Sequence, residues 1–110
     1  MNVKTTGWAL GSYIAANIRQ RGKHWFYTWA RWLHVRQKVL ELDHHECVLC
    51  KQEKRYARAT TVHHVKPLLE RPDLALSIYD EDGSRQLISL CRPCHERIEG
   101  RVSRWDDERW

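Results

Sequence analysis

The four cysteines of the chain fall in two pairs of identical spacing, Cys47-x2-Cys50 and Cys91-x2-Cys94, with 40 residues between them. No other feature constrains the fold as strongly. Two residues between ligands let one tight turn aim both sulfurs at a single ion, and a tetrahedral Zn²⁺ takes four thiolates at about 2.3 Å. One such ion pins residues 47–50 beside residues 91–94. A site closed by four sulfurs keeps no open position, so its expected role is structural. It also supplies folding energy to a chain of 110 residues, which buries only about two-thirds of its unfolded surface. Two other readings of the cysteines fit less well. A redox-active C-x-x-C opens a helix in a βαβ unit, and no such pattern is present. Cys47 and Cys50, with 12 residues before His63, imitate a two-Cys, two-His finger. That finger separates its histidines by about three to five residues, whereas His63 and His64 are adjacent, and the second pair would be orphaned.

Mean hydropathy is −0.71, and the sequence has no near-continuous apolar run of about 20 residues, so a membrane span is excluded. The longest uncharged stretch, Thr5 to Ile18, lacks the basic lead and apolar run of a signal peptide. The chain is therefore expected inside a cell, where cysteines stay reduced and serve metals. Net charge is +5, and it is unevenly spread. Residues 1–40 carry seven basic side chains and no acidic one, while residues 41–110 carry 12 basic and 14 acidic. A basic front on a near-neutral body suits a phosphate-backbone partner. The long Lys-rich amphipathic face of a membrane-surface protein is absent.

Along the chain, residues 1–24 read as a basic arm interrupted by Gly7, Gly11 and Gly22, with a short helix over Tyr13–Gln20 capped by Ser12. Residues 25–42 read as one helix, with Trp25, Phe26, Trp29, Trp32, Leu33, Val39 and Leu40 near a three-and-four spacing. Aromatics at that spacing are expected to face a core rather than stack on bases. Asp43-His44-His45-Glu46 reads as an exposed turn, and Lys51 to Arg58 as a loop or short hairpin tip. Thr60 to Val65 is β-branched and alternating, which predicts a strand ended by Pro67. A long connection follows, with a helix start at Glu70–Asp73 and a turn at Asp82-Gly83. Gln86 to Leu90 predicts a second strand, and Cys91-Arg92-Pro93-Cys94-His95 a turn into a helix. Residues 101–110 form a charged tail whose Trp105 and Trp110 are expected to pack back on the body.

Of seven histidines, three carry a chemical signal. His63 and His64 are strand neighbours, so they face opposite ways and cannot share a role. His95 directly follows a knuckle cysteine. If the second strand returns beside the first, His95 comes near His63, giving two imidazoles with room for water and substrate oxygens. His44 and His45 read as exposed turn residues beside Cys47, with phosphate contact as a minor reading, and His24 and His34 carry no distinct signal.

Val62-His63-His64-Val65-Lys66-Pro67-Leu68, followed by Leu87-Ile88-Ser89-Leu90-Cys91-Arg92-Pro93-Cys94-His95-Glu96, resembles the HNH endonuclease pattern with flanking zinc cysteines. Phe26-Tyr27 through Cys50 is similar to the leading helix of phage-type members. The resemblance covers about residues 25–99. It implies an α+β chain: a small ββα-metal fold with a structural zinc site and a leading N-terminal helix. The nuclease domain would span residues 25–100. By the same resemblance, His63 and His95 bind a catalytic divalent metal such as Mg²⁺, Mn²⁺, Ni²⁺ or Zn²⁺, His64 is the general base, and Cys47, Cys50, Cys91 and Cys94 hold structural zinc. The family's middle Asn is replaced. Five residues before Cys91 stands Gln86, which keeps the amide and adds a methylene. Glu99, one helical turn after His95, is an alternative completion of the metal shell.

The chemistry is coherent without the family. Hydrolysis of a phosphodiester needs an activated water and neutralisation of the leaving oxygen. A neutral imidazole takes the water's proton near neutral pH, and a hard dication neutralises phosphoryl and leaving oxygens. The resemblance implies 5′-phosphate and 3′-hydroxyl products, and a cutter of DNA that nicks or has low sequence specificity. It also implies a phage or prophage setting in the cytoplasm of a bacterial host, with the large subunit of the packaging terminase as a further partner. The competing class is a non-catalytic zinc module that binds nucleic acid, in which Gln86 marks a decayed site.

Overall fold

The computed structural model describes the backbone of residues 7–102 and the side chains of residues 9–98. Its centre is a two-stranded antiparallel sheet, β1 (Thr61–His64) against β2 (Leu87–Leu90). The register pairs Thr61 with Leu90, Val62 with Ser89, His63 with Ile88 and His64 with Leu87. Further bonds extend the ladder at both ends, Thr60 N–H to Leu90 O at 3.0 Å and Val65 N–H to Gln86 O at 2.8 Å. The strands thus lie within a residue or so of where β-branching placed them. All four residues of β1 are buried, because both faces of the sheet are covered.

Alternation divides those faces. Val62 and Leu87 lie in a large apolar core with Leu10, Ile14, Ile18, Phe26, Trp32, Val39 and Leu40. On the opposite side Leu90 joins a smaller cluster with the four cysteines, against which Ile88 packs.

The helical half differs from the sequence expectation in two ways. The helix expected over residues 25–42 is two helices, α2 (Lys23–Thr28) and α3 (Ala30–Leu42), separated by Trp29 in an extended conformation (ψ 133°). The Thr28 hydroxyl donates to the carbonyls of His24 and Trp25, at 2.9 and 3.3 Å, the local competition by which Thr bends or ends a helix. Beyond the break, Trp29 stacks on Trp25 (centroids 4.8 Å apart) and lies 5.9 Å from Tyr13. Phe26, Trp32, Val39 and Leu40 are buried as the periodicity required, but so is Tyr27, and Leu33 is exposed.

Second, the helix expected over Tyr13–Gln20 is longer, α1 (Gly7–Arg21). Its Leu10, Ile14 and Ile18, spaced by four, are core residues, so the segment expected as an arm contributes to the core. Gly11 lies against the backbone of a 3₁₀ turn, Pro72–Leu74: a Cβ there would fall 2.9 Å from Asp73 N and Cα. The helix start expected at residues 70–73 yields only this turn, pinned by Arg71 to Asp73 and Glu81.

Residues 46–58 form a hairpin-like knuckle. Glu46 bridges Arg58, Cys47 N–H bonds Ala57 O at 2.8 Å, and a short helix α4 (Val48–Gln52) carries Cys50. Helix α5 (Arg92–Val102) follows β2 directly and carries Cys94 and His95 in its first turn. The charged tail, with Trp105 and Trp110, lies outside the described residues. No helix among the described residues is long and apolar enough to cross a membrane.

Candidate active site

The two knuckles meet. One sulfur from each of Cys47, Cys50, Cys91 and Cys94 lies within 4.8 Å of all the others, and all four residues are buried. Cys50 Sγ is 3.8 Å from the sulfurs of both Cys91 and Cys94. A tetrahedron with metal–sulfur bonds of about 2.3 Å has edges of about 3.8 Å, so the spacing fits a tetrahedral dication. The surroundings suit anionic sulfur: Cys50 N–H donates to Cys47 Sγ at 3.4 Å, and Arg97 donates to Cys94 Sγ at 3.4 Å. The thiols are electrostatically inequivalent. Burial raises the Cys47 thiol, but hydrogen bonds from the backbone and thiols of Cys50 and Cys91 outweigh it and bring the group down to about 7. Burial, reinforced by the neighbouring thiols, pushes Cys94 up to about 12. Four buried thiolates repel one another, and a bound dication is what lets them all ionise.

The same knuckle places His95. Its N–H bonds Cys91 O at 3.0 Å, fixing the first turn of α5. His63 projects from the β1 face that carries the cysteine cluster. The His63 and His95 rings meet edge to face, with centroids 5.8 Å apart, and both residues are buried. Beside them opens a cavity of about 340 Å³ lined by Thr60, Thr61, Arg92 and His95. The structure thus brings together the strand and helix imidazoles singled out in the sequence. Of Glu99, the alternative ligand, only the backbone is described.

His64 lies on the other face and is 1% exposed. Its ring stacks on Trp32, centroids 4.9 Å apart, and contacts Phe26 at 5.8 Å. Its Nε2 lies 3.1 Å from the carbonyl of Ala75. A carbonyl accepts only, so Nε2 carries the hydrogen and the lone pair of the neutral ring sits on Nδ1. Ala75 follows the turn against which Gly11 packs, so α1, the turn and the His64 ring form one connected stack. No local pattern marks Ala75 as this partner, since any residue has a carbonyl.

Gln86 is fully buried. Its amide spans the backbone of Lys66, accepting from Lys66 N–H at 3.1 Å and donating to Lys66 O at 2.9 Å. It closes the loop that leaves β1 two residues after His64. Its two bonds are to backbone, which is the work of a positioning residue. The longer side chain reaches across the strand pair to do it.

Another structural residue was missed in the sequence. Asp43 ends α3, where a carboxylate opposes the helix dipole. Arg85 makes a two-pronged ion pair to it at 3.0 and 2.9 Å, and Ser89 N–H adds a third bond at 3.2 Å. This ties the helix to β2. The unfavourable helix-end acid was the available signal. His44 and His45, expected as exposed turn residues, both adopt left-handed backbone (φ 56° and 59°); His44 is exposed and His45 half-buried.

The model of the HNH endonuclease family matches residues 47–101, the segment that holds both knuckles, both strands and the three histidines. The chain belongs to the HNH endonuclease family. Among solved structures it is similar to the HNH endonuclease of the deep-sea thermophilic bacteriophage GVE2, determined with manganese ion. Identity is 31%, covering 96% of this chain and 100% of that one, with a TM-score of 0.65. No curated protein matches it. The HNH endonuclease is accordingly an α+β nuclease hydrolase whose substrate is DNA, and its cysteine cluster fits a divalent metal. The likeness to the phage enzyme extends through α1, α2 and α3, beyond the segment matched by the family model.

Proposed function

We propose that this HNH endonuclease nicks DNA with little sequence readout, using His63 and His95 to hold a catalytic divalent ion, His64 as general base, and zinc in the four-cysteine site as a structural clamp. The observation that carries the reading is the His63–His95 approach, 5.8 Å between rings, with His95 lining a cavity of about 340 Å³. The ion, when bound, stabilises charge on the phosphoryl and leaving oxygens. His63 and His95 present imidazole nitrogens from a strand and a helix that the cysteine clamp holds together. His64 donates Nε2–H to Ala75 O, which fixes its tautomer and leaves Nδ1 as the ring's acceptor nitrogen; that atom is buried on the face of β1 opposite His63, so its role as base requires the end of β1 to open toward the ester. Gln86 holds the loop at Lys66, and so the end of β1 on which His64 sits. The basic front supplies backbone contacts, which position DNA without reading bases. A cut that leaves 5′-phosphate and 3′-hydroxyl ends, a phage or prophage setting within a bacterial host, and work alongside the terminase large subunit complete the proposal, resting on the likeness to a phage enzyme.

The burial of His64 supports a second reading, in which the ring is a core element stacked on Trp32. One experiment separates the two. Supercoiled plasmid is incubated with the protein and Mg²⁺ or Mn²⁺, and His64→Ala is compared. The proposal expects open-circular plasmid from the wild type, and a folded, zinc-loaded, inactive variant. An unfolded His64→Ala protein supports the structural reading. Plasmid left intact by the wild type across several metals sinks the nuclease mechanism altogether.

A further inference from the structure

One guanidinium lines the cavity beside His95, and a second, from a distant part of the chain, bonds the backbone of one of its lining residues. Arg92, the first residue of α5, lines it directly together with Thr60 and Thr61. Arg36, from the middle of α3, donates from Nη2 to the carbonyl of Thr60 at 3.0 Å. Arg36 belongs to the stretch of 40 residues with no acidic side chain, so the basic front reaches the site through this residue. Arg92 is held by Glu96, Nε to Oε2 at 2.9 Å, and the two side chains are 68% and 51% exposed. A solvent-exposed pair one helical turn apart contributes little and exchanges easily, whereas a guanidinium fork grips a phosphate through two parallel hydrogen bonds.

We propose that Arg92 and Arg36 form a two-point clamp for the backbone phosphates that flank the ester at His95, and that Glu96 is a competing anion which DNA displaces from Arg92. The clamp rests on the nuclease reading above and assigns the strand contacts of that site. It also gives the ion pair a function: Glu96 keeps Arg92 extended along α5 and lowers affinity for stray anions.

The test uses the zinc-loaded, full-length protein and a labelled DNA duplex, with no catalytic metal added so that binding is read without cutting. Anisotropy titrations over a range of salt give the dissociation constant and its salt slope. Arg92→Ala is expected to weaken binding about tenfold at low salt and to reduce the slope by about one. Arg36→Ala is expected to behave similarly. Glu96→Gln is expected to tighten binding about two- to fivefold at low salt. With Mn²⁺ added, Arg92→Ala should raise KM more than it lowers kcat. Arg92 lies between Cys91 and Cys94, so zinc content and circular dichroism are checked in each variant. Glu96→Gln alters neither knuckle and decides the matter if Arg92→Ala fails to fold. Unchanged affinity and slope in the folded variants overturn the clamp. A wild type that cuts plasmid while those slopes stay put rejects the clamp alone, and a wild type that never cuts rejects the nuclease mechanism beneath it.

Discussion

His63 and His64 are consecutive in β1 and yet live in different surroundings. His63 faces a ring 5.8 Å away on a helix set by the cysteine cluster, next to a cavity. His64 faces an aromatic wall, 1% exposed, with Nε2 committed to a carbonyl. Alternation in a strand forces the separation, and the two halves of the chain exploit it. On the His63 side the geometry rests on a cysteine cluster that fits a divalent metal, on the His64 side on packing. Metal-held and packing-held regions should therefore fail differently when damaged.

The sharpest way to break the comparison is Cys91→Ser. The proposed zinc contributes about 10–16 kcal/mol in small sites of this kind, as much as the whole net stability of about 5–15 kcal/mol typical of a domain. The variant should lose zinc, measured by metal analysis, and melt without a cooperative transition, because the four sulfurs are what join residues 47–50 to the end of β2 and the first turn of α5. A folded and active Cys91→Ser enzyme would remove the structural clamp from the account.

Trp32→Ala against His63→Ala sharpens it. Trp32 is 1% exposed and stacks on His64. Its truncation should cost about 3–5 kcal/mol, lowering the denaturant midpoint and disordering the His64 ring while the cysteine site still binds zinc. His63→Ala should do the reverse, abolishing nicking by a hundredfold or more, about 2.7 kcal/mol of transition-state stabilisation, with a much smaller change in midpoint. Equal losses of stability in both variants would mean that the two faces are one cooperative unit with no division of labour.

The difference between the faces also explains what was legible in the sequence. Cysteine spacing, β-branching at residues 60–65 and the adjacent histidines specify the metal-held side, because ligands and strands leave local patterns. The sheet and the His63–His95 approach follow from them. The packing-held side depends on contacts between segments far apart. Nothing local marks Ala75 as the partner of His64. Trp29 breaks a helix that periodicity ran straight through, because Thr28 and the Tyr13–Trp25 cluster override propensity. Gly11 read as an interruption in an arm, and only the opposing backbone of Asp73 shows why a side chain is excluded there. Gly11→Ala tests that last point. The added methyl meets backbone at 2.9 Å, so α1 or the turn must move, at a cost of about 1–3 kcal/mol. A lowered melting temperature with normal zinc content is expected. An unchanged melting temperature would show that α1 is not docked as described.

The smallest expected effect concerns the tie between the halves. Burial raises the Asp43 carboxyl, but hydrogen bonds from Arg85 and Ser89 and the Arg85 charge outweigh it, so the group sits below its ordinary value of 3.8. A carboxyl whose folded value is depressed contributes stability above its unfolded value and loses that contribution as pH falls through the folded one. Asp43→Asn should therefore be less stable than wild type at neutral pH, on the order of 1 kcal/mol after allowing for solvent screening. The gap should narrow as the pH drops below about 4, where the protonated acid comes to resemble the amide. Acid also protonates the cysteine site, but that acts equally on both proteins and cancels in the difference. Thermal melts of the pair at descending pH measure it. A gap that stays constant into acid would mean that Asp43 holds α3 to β2 through shape and neutral hydrogen bonds, and that the junction between the packed and metal-held regions is indifferent to charge.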